Sequence, residues 1–228
     1  MKIAAVIVAA GLGKRMNSRK PKQFLALAGK PVLWHTIRRF IKCGIFSEIV
    51  LVINRDSWRY CQQNVIKKYK FNQVRLVIGG KQRQDSVYQG LKSIHPCDLV
   101  CIHDGVRCLV SEQVIKESIA AAKKYSAAIA AVPVKDTIKT GNNNTLVIKT
   151  IDRNNLWSIQ TPQVFKYALI MKAYARAYQR DFYGTDDASL VEKMGGKVKL
   201  VMASYSNIKI TTAIDLAIAE NVIRKGWQ

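Results

Sequence analysis

Five short apolar runs, each divided from the next by a longer stretch of helical period, constrain this chain more than any other feature. The runs are Ile3–Ala10, Ile49–Ile53, Val74–Ile78, Leu99–His103 and Ala127–Val134. Between them lie Val32–Cys43, Trp58–Tyr69, Asp85–Ile94 and Ser111–Tyr125, with Pro31 suited to one first turn and Ser111 to a cap. Apolar runs that recur after helices read as parallel strands buried on both faces. The chain is therefore α/β, with a largely parallel, twisted sheet covered by helices. At 228 residues it reads as one domain spanning 1–228, long enough to bury a core without a metal or disulfide staple.

The rhythm breaks after Val134. Thr137-Ile138-Lys139-Thr140 and Thr145-Leu146-Val147-Ile148 flank the polar turn Gly141-Asn142-Asn143-Asn144, which reads as a β-hairpin. A lone hairpin is too small to hold a core, so this arm, within 135–155, should project from the body or pack on a partner. Helices near Ala168–Gln179 and Ala188–Met194, a strand at Val198–Ala203 and a helix from Ala213 to Arg224 follow. Thr212 and Asp215 give the last helix a start resembling a capping box.

Composition then narrows the setting. An apolar fraction of 49% excludes a disordered polar chain. No run approaches the ~18 apolar residues of a membrane span. Met1–Ala10 could pass for a secretion signal, but it runs straight into Gly11-Leu12-Gly13-Lys14-Arg15, a turn that fits the end of a buried first strand. Cys43, Cys61, Cys97, Cys101 and Cys108 are odd in number and contain no C-x-x-C, which suits free thiols in a reducing compartment. The expectation is a soluble, cytoplasmic protein.

Charge is the unusual quantity. Lys and Arg number 37 against 15 Asp and Glu, a formal +22, which predicts attraction to polyanions: nucleic acid, acidic lipid or phosphorylated metabolites. The cations occur as short pairs (Arg38-Arg39, Lys67-Lys68, Lys123-Lys124) spread over helices without an RNA-binding motif. That distribution favours small anions over specific nucleic-acid binding.

In an open α/β sheet, ligands bind beyond the carboxyl ends of the strands. The first run empties into Gly11-Leu12-Gly13-Lys14-Arg15-Met16 and Lys20-Pro21-Lys22, glycines and cations able to cradle a phosphate chain. Met16 stands where a dinucleotide fingerprint needs its third glycine, Asn54 where it needs an acid, and no P-loop is present. The third run ends in Gly79-Gly80, followed by Arg83, Asp85 and Ser86. The fourth ends in His103-Asp104-Gly105-Val106-Arg107. A carboxylate beside a phosphate site manages a ribose hydroxyl, a Mg²⁺ shell or an arginine; the plainer alternative is an Asp capping the next turn.

Other clusters read more plainly. His95, Cys97, Cys101 and His103 lack the spacing of common zinc motifs, and Cys101 and His103 fall at alternate positions of a strand. Asp186-Asp187 reads as the acidic start of a helix, since adjacent residues on a helix do not face each other. Trp157, Gln160-Thr161-Pro162-Gln163 and Asn207-Ile208-Lys209 interrupt apolar stretches, and periodicity assigns them no role.

Taken in order, the polar blocks resemble a known family. Ala9-Ala10-Gly11-x-Gly-x-Arg15-Met16 with Pro21-Lys22-Gln23 looks like the first loop of sugar-nucleotide-forming nucleotidyltransferases. Gly79-Gly80-x-x-Arg83-x-Asp85-Ser86-Val87, His103-Asp104-x-x-Arg107, Val134-x-Asp136-Thr137 and Asp152-Arg153-Asn154-x-Leu156-Trp157 narrow it. Gln160-Thr161-Pro162-Gln163-x-Phe165, Thr185-Asp186-Asp187-Ala188-Ser189 and Asn207-Ile208-Lys209 complete the series. Together, from about residue 3 to residue 222, they resemble the 2-C-methyl-D-erythritol 4-phosphate cytidylyltransferases of non-mevalonate isoprenoid synthesis. The Asp-Arg-Asn-x-Leu-Trp block separates these from the ribitol 5-phosphate cytidylyltransferases, the nearest alternative.

The resemblance implies a Rossmann-like nucleotidyltransferase fold, a Mg²⁺ requirement, CTP and a polyol phosphate as substrates, and a homodimer built through the arm. It implies that Ala9, Ala10 and Gly11 line the nucleotide, that Gly80 and Ser86 read cytosine, and that Arg15 and Lys22 stabilise the transition state. Asp104 and Arg107 would lie between ribose and acceptor phosphate. Thr161 and Thr185 would hold the polyol phosphate, Lys209 would contact phosphates, and Thr137 and Arg153 would reach into the partner subunit's site. The chain departs from the family at Gly105, Val106 and Cys108, in a block that usually reads Asp-Ala-Ala-Arg-Pro, and at Lys81, a commonly acidic position.

Overall fold

The computed structural model describes residues 1–11 and 20–226. A seven-stranded sheet organises them, in the order β11-β7-β10-β6-β1-β4-β5. Its strands are β1 (Ile3–Val8), β4 (Glu48–Ile53), β5 (Val74–Ile78), β6 (Leu99–Asp104), β7 (Ala127–Pro133), β10 (Trp157–Lys166) and β11 (Lys199–Met202). All pair in parallel except β10, which runs antiparallel to both β6 and β7. The five sequence-predicted strands and the late strand are all present. Within this sheet, the strand that reading missed is β10, an interior strand between β7 and β6.

Helices cover both faces, as continuous apolar strands require. On one side α1 (Val32–Cys43), α2 (Trp58–Cys61) with its π-helical continuation Gln62–Lys67, and α4 (Glu112–Tyr125) pack on Ala5, Ile7, Leu51 and Cys101. On the other, α3 (Arg83–Ser93), α5 (Tyr167–Gln179) and α6 (Asp187–Glu192) pack on Ala4, Val6, Val52 and Ile102. The α7 helix (Ala213–Arg224) packs lower down, with Ala219 beside Leu27, Val106, Leu109 and Ile210. Among the described residues, no helix is long and apolar enough to cross a membrane.

Local signals act where expected. Pro31 directly precedes α1, and Gly44 closes it in the left-handed region at φ 67°, its N–H returning to the Ile41 carbonyl. The Ser111 side chain accepts from Val114 N–H, and Thr212 with Asp215 forms a reciprocal capping box. The arm is a separate two-stranded ribbon of β8 (Ile138–Gly141) and β9 (Val147–Ile151), exposed along nearly its whole length. Two short strands, β2 (Ala26–Leu27) and β3 (Lys30–Pro31), form a small hairpin ahead of α1.

Candidate active site

The carboxyl ends of β1, β5 and β6 open together into a cavity of about 490 Å³. Ala9, Ala10 and Gly11 form one wall, and Gly80, Ser86 and the short turn carrying Lys22 close around it. Gln23 holds that turn in place, its side-chain amide donating to the Ala9 carbonyl at 2.9 Å. Opposite, the backbone N–H of Gly80 donates to Ser86 Oγ at 3.2 Å. Only glycine fits position 80, because an added Cβ would come within 2.3 Å of the Asp85 Cβ. Gly105, one of the departures from the family pattern, backs the same wall; a Cβ there would meet that of Ala9 at 2.9 Å.

A second cavity, of about 590 Å³, lies toward β10 and α6. Arg107, Thr161, Gln163, Thr185 and Ser189 line it. The two cavities share one wall, made of Arg83, Asp104 and Lys209. Asp104 is the centre of this wall. Its carboxylate meets Lys209 Nζ at 2.8 Å, Arg83 Nε at 3.2 Å and Arg107 Nε at 3.7 Å. Burial alone would raise its pKa, yet the charges of Arg83, Lys209 and Arg107 hold it well below the usual carboxylate range.

Arg83 is shared in turn. Its second contact is Asp187, at 2.8 Å, and the Tyr174 hydroxyl donates to the other Asp187 oxygen at 2.5 Å. Burial opposes the Arg83 charge, but Asp187 and Asp104 together raise its pKa. Asp186 is the N-cap of α6, accepting from Ser189 N–H, in keeping with the acidic helix start read from sequence. Asp187 does more than that reading allowed, because it anchors an arginine 104 positions away. Three cations around Asp104 leave an excess of positive charge facing both cavities, which suits two anionic ligands meeting at one wall.

The sequence-predicted residues are thus largely brought together. Ala9, Ala10, Gly11, Lys22, Gly80 and Ser86 line the first cavity, Arg107, Thr161 and Thr185 the second, and Asp104 and Lys209 both. Arg15 lies outside the described residues. Thr137 and Arg153 line neither cavity; both are exposed, and Arg153 donates to the Lys135 carbonyl at the base of the arm. Arg83, Asp187, Gln163, Asn207 and His103 were given no role by the sequence, and each is bonded into the site.

The profile of the 2-C-methyl-D-erythritol 4-phosphate cytidylyltransferase family matches residues 3–225. The chain belongs to the 2-C-methyl-D-erythritol 4-phosphate cytidylyltransferase family. A cytidylyltransferase of that name from Caldanaerobacter subterraneus subsp. tengcongensis is 48% identical over 227 residues, 99% of this chain and 100% of its own length. One from Clostridioides difficile is 47% identical over 221 residues, 96% and 93% of the two chains. The fold of this cytidylyltransferase chain also matches solved members. A 4-diphosphocytidyl-2C-methyl-D-erythritol synthase from Anaerococcus prevotii superposes with a TM-score of 0.86 at 35% identity, covering 98% of both chains. The 2-C-methyl-D-erythritol 4-phosphate cytidylyltransferase of Thermus thermophilus gives 0.82 at 29% identity, covering 98% of this chain and all of the other.

Proposed function

We propose that the first cavity binds CTP, that the second binds 2-C-methyl-D-erythritol 4-phosphate, and that cytidylyl transfer occurs at the wall between them. The observation that carries this reading is the shared wall, where Asp104, Arg83 and Lys209 face both cavities. An oxygen of the acceptor phosphate bonds to the α-phosphorus of CTP. The bond from that phosphorus to the bridging oxygen breaks in line, and pyrophosphate leaves with the electron pair. The attacking oxygen is already ionised, so the reaction needs no protein nucleophile or general base. The protein contributes position and charge.

Each residue then has a physical task. Ala9, Ala10 and Gly11 let the triphosphate approach the backbone closely, and Gly80 with Ser86 faces the base. Lys22, with Arg15, offsets charge on the pentavalent transition state. Lys209 spans the two anions, while Arg107, Thr161 and Thr185 orient the acceptor. The buried Arg107 Nε lies 3.7 Å from Asp104, and that pairing holds the guanidinium at the wall where an acceptor phosphate would meet it.

The donor set fits Mg²⁺ carried by the nucleotide. Mg²⁺ prefers phosphate oxygens, waters and one or two carboxylates to an all-protein cage, and no group of three His, Cys, Asp or Glu able to hold a metal occurs among the described residues. Asp104 would supply the protein oxygen, and the bound cation would neutralise triphosphate charge.

Thr137 and Arg153 complete the site from a partner subunit in this reading. Two observations support it: both residues are exposed and line neither of their own chain's two cavities, and Leu146, Val147 and Ile148 on the arm are each more than 60% exposed. Such an apolar ribbon is suited to burial against a second copy. The reading as a cytoplasmic homodimer agrees with five unpaired thiols.

Incubation with CTP, Mg²⁺ and candidate polyol phosphates, followed by pyrophosphate measurement, tests the acceptor. Release is expected with 2-C-methyl-D-erythritol 4-phosphate. Release only with ribitol 5-phosphate would overturn the assignment. Because positive charge surrounds the cleft, kcat/KM is expected to fall with ionic strength more steeply than kcat. A flat salt profile would detach the +22 from substrate capture.

A further inference from the structure

Behind the shared wall lies a closed ring of hydrogen bonds, and His103 is the member with no established task. The residue is fully buried, with its ring against Phe40 at 4.9 Å between centroids. Its Nε2 lies 3.1 Å from the Arg107 carbonyl, and its Nδ1 lies 3.0 Å from Thr161 Oγ1. From Arg107 the ring continues through Nη1, which donates to the Asn207 carbonyl at 2.7 Å. Asn207 closes it by donating from Nδ2 to the Thr161 carbonyl at 2.9 Å.

The proton positions follow from the partners. A carbonyl only accepts, so His103 Nε2 must carry the hydrogen. The ring is fully buried and neither nitrogen is bonded to a carboxylate, so it is the neutral imidazole and Nδ1 is an acceptor. The Thr161 hydroxyl must therefore donate to Nδ1, which leaves its oxygen free to accept the Asp104 backbone N–H at 3.0 Å. Every bond in the ring thus has a defined direction.

We propose that His103 is a positioning residue for the acceptor: it fixes Arg107 and Thr161 at the acceptor cavity through two hydrogen bonds, one at each ring nitrogen. The inference rests on assigning the second cavity to the polyol phosphate. The ring joins three separate stretches of chain. They are the end of β6 with the turn to Arg107, the bend in β10 at Thr161, and the loop that carries Asn207 and, two residues later, Lys209. Without His103 the Arg107 carbonyl keeps only the long 3.4 Å bond from Val110 N–H, and the Thr161 hydroxyl hydrogen loses its acceptor, so either group can move to recover a partner. Among the described residues, no side-chain hydrogen bond joins His103 to the wall built from β1 and β5.

The two ends of the imidazole can be tested separately. In His103→Gln the longer amide reaches the Nε2 position and can still donate to the Arg107 carbonyl. In His103→Asn the shorter amide reaches only the Nδ1 position and can still accept from Thr161. Because Arg107 is the acceptor-facing cation, His103→Asn is expected to raise the acceptor KM about tenfold or more, while His103→Gln stays within about threefold of wild type. The CTP KM is expected to change less than about twofold in both. Equal behaviour of the two variants, or a CTP KM that moves with the acceptor KM, would overturn the proposal.

Thr185→Ala serves as the control, since it lines the same cavity but is outside the ring. A raised acceptor KM in Thr185→Ala with unchanged His103 variants overturns the ring alone. Unchanged values in all three variants overturn the cavity assignment, and the proposal with it.

Discussion

If the arm completes a second copy's site as proposed, Lys22→Ala and Arg153→Ala are each expected to leave a nearly inactive dimer, yet to restore activity when co-expressed. Lys22 lines the first cavity of its own chain, whereas Arg153 stands at the base of the exposed arm. Removing one preorganised donor to a developing anion lowers kcat by ~10²–10³. In a mixed dimer, one site has both Lys22 and Arg153 and the other has neither. Random pairing makes about half the dimers mixed, with half their sites whole, so roughly a quarter of wild-type activity is expected. Purified mixed dimers as inactive as their parents would place Arg153 in its own subunit's chemistry or outside the reaction. Arg153 is exposed and Lys22 is a half-buried residue at the start of a single 3-10 turn, so thermal stability should hardly change, which separates this loss from unfolding.

The second large effect is on stability as well as rate. Arg83 is the common partner of Asp104 and Asp187, whose side chains are 8% and 1% exposed. Arg83→Met would leave Asp187 with Tyr174 as its remaining side-chain partner and remove one of three cations from Asp104. Stripping one member from a buried pair costs ~3–5 kcal/mol, and solvent access to Arg83, which is 29% exposed, lowers the expectation here to about 2–3 kcal/mol. Arg83→Met combined with Asp187→Asn should recover most of that stability, because the amide oxygen can still accept from Tyr174 and carries no charge. It should not recover the rate, since Asp104 still lacks one of its three cations. Urea unfolding and steady-state kinetics on the same preparations test both parts. An Arg83→Met chain as stable as wild type would mean that the network is not holding α6 to the sheet.

Arg83 shows where sequence reading stopped. Its ring of partners is assembled from residues about 20 and 100 positions away, and no local spacing announces such a contact. The strands were legible because parallel strands buried on both faces leave a continuous apolar mark. β10 left none. Its Gln160, Thr161 and Gln163 are buried polar residues, and their groups are satisfied by Ser204, Asn207, Asp186 and the start of α6. Pro162 further argues against a central strand, and the pairing register does shift between Ile159 and Gln163. The arm was legible from its polar turn, and is observed as Ile138–Ile151. Glycines and cations marked the first loop as a candidate phosphate cradle, and its described ends, Ala9–Gly11 and Lys22, line a cavity; the division of the cleft into two cavities about one carboxylate needed coordinates.

The antiparallel strand also sets the order in which the sheet can be assembled. Four strands, β5-β4-β1-β6, are adjacent in the sheet and complete by residue 104. β7 cannot join them directly, because its sheet neighbours are β10 and β11. During synthesis β7 is made, then the arm, and only then the strand that connects β7 to the block already formed. Long-range pairing of this kind closes slowly compared with local contacts. The half of the cleft holding Asp104 can therefore take shape early, while the half holding Thr161 waits for one strand to slot between two waiting edges. Until that happens, β6 and β7 are both open to pairing with other chains, so the interval before residue 166 is made is the time of greatest exposure to aggregation.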